Sequence, residues 1–234
     1  MTWVFNLERP ALKPLATRQA LAAAIDRERI VRDVIFGQGR VAQAPLASGI
    51  GFAHAPETLA HLRHDPAAAR DQLAKLSLKL DIVHFPQFSR YADALRQDLA
   101  AAGVQLSSRP LDRAASIEAI FTKRDFDTAL ISYCQGADPE IGARRMYVSS
   151  AIGKVPFSNA SGWSRPEVDA AFDRGLTTTA PAERARAYRQ AQQIIARELP
   201  YLWLVETDFP VAWRADLDGL APWRGSFAET ARVR

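Results

Sequence analysis

Apolar residues recur at helical spacing in the segment 17–36, where Ala20, Leu21, Ala24, Ile25, Ile30, Val31, Val34 and Ile35 form one stripe and Gly37 stops it. The pattern predicts a single long amphipathic helix. Through 38–64, Pro, Gly, Ser and His break every period, which predicts an extended excursion with little regular structure. Asp65 before Pro66 has the form of an N-cap followed by a proline at the first helical position, opening a short helix to about Leu76.

The next stretch alternates between the two periods. LKLDIVHF (78–85) reads as a strand, FSRYADALRQDLAAAG as a helix closed by Gly103, and VQLSSRPL as a second strand. AASIEAIFTK is helical again, and FDTALISY (126–133) is a third strand. Short links between alternating strands and helices predict an α/β fold, with a mostly parallel βαβαβ sheet flanked by helices. Helices are predicted at 139–148, 166–176 and 181–199, the last with Ala185, Tyr188, Ala191, Gln192 and Ile195 on one stripe. The tail from Tyr201 returns to extended, aromatic-rich sequence, and the chain shows no internal repeat.

Composition narrows the function classes. A chain of 234 residues with 48% hydrophobic content has ample material for a core. No run reaches the roughly 18 apolar residues of a spanning helix, and MTWVFNLERP lacks the regions of a secretory signal. The net charge of +4 comes from interspersed signs, without the dense basic face that nucleic-acid binding needs. A single cysteine makes no internal disulfide and no zinc site by itself.

Candidate chemistry gathers at two strand ends. In open α/β sheets, ligands collect outside the carboxyl ends of strands. The loop HFPQF after the first strand, with His84, Gln87 and Phe88, and the stretch YCQGAD after the third, with Tyr133, Gln135 and Asp138, are predicted to form one ligand-binding lip. Asp138 before Pro139 also reads as a helix cap. Cys134 has no histidine in a recognisable nucleophile arrangement. HLRH (61–64) carries histidines at i,i+3 without a further ligand at motif spacing, and FGQGR (36–40) follows a helix instead of opening one. The reading therefore assigns no catalytic residue, no metal and no cofactor. Asp26 and Arg27 are expected in surface pairs or caps, and Trp163, Trp203, Trp213 and Trp223 chiefly in core or lobe contacts.

Several stretches together resemble the dipeptide-, oligopeptide- and nickel-type solute-binding proteins of ABC importers, extracellular family 5. FNLERPALKPLATRQALAAAIDRERIVRDVIFGQG carries the family's Phe-Asn strand, Arg-Gln-Ala-Leu helix, Ile-Asp-Arg step and Phe-Gly-Gln-Gly close. HDPAAARDQLAKL, YADALRQDLAAAGVQLSSRPLD and SGWSRPEVDAAFDRGLTTTAPAERARAYRQAQQIIARELPYLWL follow in the family's order. The resemblance implies a non-enzymatic, extracytoplasmic binding module for a peptide or related small solute, working with a membrane ABC permease. It implies a C-terminal lobe at 11–205, with 1–10 as the hinge crossing from a missing N-terminal lobe and 206–234 as the return toward it. In peptide-binding members an aspartate that holds the peptide amino group would fall at Gln135, a tryptophan at Ser132, and an arginine for carboxylate within HFPQF. None of the three is present, which argues against a zwitterionic dipeptide, since an unpaired ammonium in a closed cleft is costly. Two other readings stay open. One is a hydrolase or transferase using Cys134 with a histidine; the other is an interaction lobe that self-associates through an apolar patch at 3–7 and 209–213.

Overall fold

The apolar runs and helical stripes become, in a computed structural model that describes residues 1–153, 155–208, 212, 214–218 and 232–233, the following elements in chain order. They are β1 (Thr2–Phe5), α1 (Leu15–Ala24), α2 (Arg27–Arg29), β2 (Gly39–Val41), α3 (Pro66–Leu73), β3 (Lys79–His84), α4 (Ser89–Ala101), β4 (Gln105–Pro110), α5 (Arg113–Ile117), β5 (Thr128–Ile131), α6 (Arg144–Tyr147), α7 (Pro166–Thr177), α8 (Pro181–Glu198), β6 (Tyr201–Trp203) and β7 (Val205–Thr207).

The main sheet has the order β4-β3-β5-β1-β6. β3 runs parallel to β4 and β5, while β1 is antiparallel to both β5 and β6, so four strands share one direction and β1 runs against them. This is the α/β class and the mostly parallel sheet that the alternation predicts. The inner strands are continuous apolar runs, with Ile82, Val83, Ala129 and Leu130 all buried, as strands covered on both faces must be. The edge strand β4 instead exposes Gln105, Ser107 and Ser108 and carries Pro110 at its end.

β1 lies within 1–10. Trp3, Val4 and Phe5 are fully buried, with Trp3 paired to Leu130 on one side and Leu202 on the other. This segment is an inner strand of the sheet, so residues 3–5 supply no exposed patch. Its unbroken apolar run is the signature of a doubly covered strand. The Asn6 amide then anchors the turn that follows by donating to the Phe126 carbonyl at 2.8 Å. Of the return segment 206–234, Thr207 closes β7, which pairs with β2. Phe209, Trp213 and Trp223 lie outside the described residues.

Two predicted helices are shorter than their stripes. The stripe at 17–36 breaks at Ile25, whose backbone is extended (φ −90°, ψ 122°). The Asp26 carboxylate accepts from the Arg29 amide at 2.8 Å and starts α2, which runs into a wider π-helical turn, Ile30–Val34. Asp98 of α4 takes up the freed Asp26 amide at 3.1 Å and pairs with Arg29 at 2.6 Å, so tertiary contacts replace the lost helical bonds. Asp26 is thus a cap, whereas the Arg27 guanidinium is no surface pair: it donates to the carbonyls of Ala42, Trp203 and Leu62. The segment 139–148 is helical only over Arg144–Tyr147. The left-handed Gly142 (φ +93°) lies where an added Cβ would come within 2.2 Å of the Cys134 carbonyl oxygen, and this backbone cannot continue a helix.

The remaining elements follow the pattern. The Asp65 side chain caps α3 by accepting from Ala68 at 3.0 Å, and the excursion 38–64 is irregular apart from β2 and a 3-10 turn, Pro56–Leu59. α7 and α8 form a hairpin whose contact depends on Gly175, because a Cβ there would meet the Tyr188 ring at 2.4 Å. Arg18, buried, donates to the carbonyls of Glu198 and Leu199 and ties the end of α8 to α1.

Candidate functional site

Parallel pairing of β3 and β5 places their carboxyl ends on one edge of the sheet. The two ends are filled differently. His84 is fully buried; its Nδ1 donates to the Phe85 carbonyl and its Nε2 meets the Ser108 hydroxyl, both at 2.8 Å. Gln87 is exposed in the 3-10 turn Pro86–Phe88, and Phe88 packs against Phe85 and Tyr91 with ring centroids 5.7 and 6.3 Å apart. An aromatic cluster thus closes the β3 end.

The β5 end opens onto a cavity of about 380 Å³, lined by residues from within 1–2, 40–49, 132–137 and 203–207. Tyr133 and Gln135 belong to its wall, whereas His84, Gln87, Phe88 and Asp138 do not line it. Asp138 is occupied elsewhere: one carboxylate oxygen accepts from the Glu140 amide at 3.0 Å and the other pairs with Arg184 at 2.7 Å. It caps a turn, and the expected helix cap is corrected to that.

The opposite wall is irregular chain, 45–48, whose polar backbone groups are met by side chains from distant elements. The Gln135 amide accepts from Ala47 N at 2.7 Å and donates to the Pro45 carbonyl at 3.2 Å. Tyr147 also donates to the Pro45 carbonyl, at 2.8 Å. Gln192 accepts from Leu46 N at 3.3 Å, and His54 Nδ1 donates to the Leu46 carbonyl at 2.9 Å. Glu206 accepts from Ser48 N at 2.9 Å and from Ser48 Oγ at 2.6 Å, while Arg40 pairs with it at 3.2 Å. Burial pushes the Glu206 carboxyl up, but the Ser48 and Arg40 contacts outweigh burial and hold it below its ordinary value. A loop whose backbone groups are held by so many side chains is prearranged for a ligand.

Tyr133 lines the cavity while its hydroxyl donates to the Ser158 carbonyl at 3.0 Å and its ring meets the buried Tyr201 edge-on. Cys134 is exposed in the lining, and no histidine stands among the lining residues. Trp203 lines the cavity while its indole donates to Tyr147 at 3.0 Å; Trp163 is buried away from it, donating to Glu198 at 2.8 Å. Arg40, Ser48 and Glu206 escape sequence reasoning because they lie in a patternless excursion and a short tail strand, with Arg40 and Glu206 separated by 166 positions. HLRH lies in a turn and coil ahead of α3, not on a helix. Among the described residues no helix is long and apolar enough to cross a membrane.

A family model described as "Bacterial extracellular solute-binding proteins, family 5 Middle" matches residues 1–154. The peptide transport periplasmic protein SapA of Haemophilus influenzae is 28% identical over 209 residues, covering 85% of this chain and 36% of that protein. SapA of Salmonella typhimurium is 28% identical over 246 residues, covering 98% of this chain and 44% of its own. Among solved structures, NikZ from Campylobacter jejuni in complex with Ni(L-His) superimposes with a TM-score of 0.81 at 23% identity, covering 94% of this chain and 47% of that one. A Pseudoalteromonas dipeptide-binding protein in complex with Met-Leu gives 0.81 at 24% identity, covering 100% and 48%. These structural likenesses concern the fold. The chain spans less than half the length of each of these proteins.

Proposed function

Because the chain belongs to the bacterial extracellular solute-binding proteins of family 5, we propose that it is one lobe of the solute-binding subunit of an ABC importer. In this reading the cavity at the β5 end is its share of the ligand site, the solute is a peptide or related small molecule, and an N-terminal lobe closes over it at a hinge outside the cytoplasm. The loaded subunit then docks on a membrane permease. The observation that carries the reading is the prearranged wall at 45–48, which faces the carboxyl end of β5 across an open cavity at the edge where α/β sheets take ligands.

The family consists of solute-binding proteins, and the wall around Cys134 supplies no histidine to activate a thiolate. The self-association reading loses half its surface, since residues 3–5 are buried in the sheet.

One lobe bears the whole cost of immobilising a ligand, on the order of 4 to 15 kcal/mol, while making part of the contacts. If a complete subunit binds at about micromolar strength, near 8 kcal/mol, this chain binds at about millimolar strength. Amide-resolved NMR titration of the chain with short peptides tests this: weak shifts confined to 42–49, 132–137 and 203–207 are expected. Shifts confined to another face, or micromolar binding by a monomer, would overturn the half-cleft reading.

A further inference from the structure

We infer that this cavity recognises an uncharged stretch of its solute, such as the internal amides of a peptide, and holds neither a terminal ammonium nor a terminal carboxylate. The inference rests on reading the cavity as the ligand site. Its two charged lining side chains, Arg40 and Glu206, pair with each other at 3.2 Å and with Ser48, which Arg40 reaches at 3.0 Å and Glu206 at 2.6 Å, so the pair is already neutral. Glu206 already accepts three hydrogen bonds of the roughly four a carboxylate takes. A ligand ammonium would have to share Glu206 with Arg40 and Ser48, and a ligand carboxylate at Arg40 would lie beside Glu206.

Gln135, the long polar side chain nearest the β5 end, has its amide oxygen and nitrogen committed to 45–47. Thr2, Ser132 and Thr207 are further polar side chains among the lining residues, and they carry no charge. A ligand charge set against this already neutral pair gains a partner only by competing with it, which is disfavoured against leaving the charge in water.

The test compares two probes on the full chain by amide-resolved NMR: trialanine as the zwitterion and N-acetyl-trialanine amide as the uncharged form. The blocked peptide is expected to bind at least as tightly, with shifts in 42–49 and 132–137 that change little with salt. Preference for the zwitterion by about tenfold or more would overturn the inference and leave the site reading standing. Shifts from neither probe, with the chain folded, would remove the site reading and the inference with it. Glu206→Gln, which loosens Ser48, is expected to weaken both probes together; a loss confined to the zwitterion would show that Glu206 holds an ammonium and overturn the inference.

Discussion

The ends of β3 and β5 leave the same edge of the same sheet in parallel register, yet one is closed and the other open. At the β3 end, His84 satisfies both ring nitrogens within the fold, and Phe88, just beyond it, packs against Phe85 and Tyr91. At the β5 end, Gln135 meets a loop from 90 positions earlier in the chain, and the two frame an open cavity that Tyr133 also lines. Topology selects the edge where a site forms, but what each strand end is packed against selects which part of that edge is the site. A polar residue at a strand end is therefore a candidate only until its partners are known.

Removing the residue that closes the β3 end should have the largest effect. His84→Ala takes away a fully buried ring and two hydrogen bonds, and is expected to destabilise the chain by about 2 to 4 kcal/mol in urea unfolding. The residual peptide shifts should be unchanged. If stability holds while peptide shifts vanish, the contrast between the two ends is reversed.

At the β5 end the matching change is Gln135→Ala. It orphans Ala47 N and takes one of two donors from the Pro45 carbonyl, for a loss of about 1 to 3 kcal/mol. Its distinguishing mark is local: hydrogen exchange at Ala47 should accelerate more than exchange in β3. Uniform acceleration across the sheet would mean that the loop is no separate wall.

Asp138→Ala sharpens the boundary of the cavity. It removes a turn bond to the Glu140 amide and a half-exposed pair with Arg184, for about 1 kcal/mol. Peptide shifts in 42–49 should persist at the same concentrations, and their loss would return Asp138 to the site.

The smallest effect is on pH dependence, and the two flanking carboxyls have opposite signs. Glu206 lies below its ordinary 4.5, so its contribution to stability is present above that pH and fades as pH falls through the folded value. Glu140 is raised, burial outweighing the Tyr188 and Arg144 contacts, so its contribution is present below 4.5 and fades as pH rises through its folded value. Acidification should loosen the Ser48 amide while the turn at 138–142 tightens, as read by amide exchange corrected for intrinsic rate. Parallel behaviour of the two segments would contradict these environments.

Periodicity by itself determined what depends on neighbours close in sequence. β3, β4 and β5, the helices α4, α7 and α8, the Asp65 cap and the α/β class all follow from which residues share a face or a strand within a few positions. Tyr133 and Gln135 were legible for the same reason, since both sit just past a strand end. Only the tertiary structure decided that TWVF is an inner strand, because β1 acquires its partners from β5 and β6 across the length of the chain. It also broke the helix at Asp26, where Asp98 supplies what the helix loses. The cavity belongs to this second kind: Arg40, Ser48 and Glu206 meet through contacts that no local pattern encodes, while His84 looks like a ligand residue until Ser108 and Phe85 consume it. Side-chain chemistry is written in the sequence, but whether a donor or acceptor remains free is set by the packing of distant segments, which burial and hydrogen-bond satisfaction choose together.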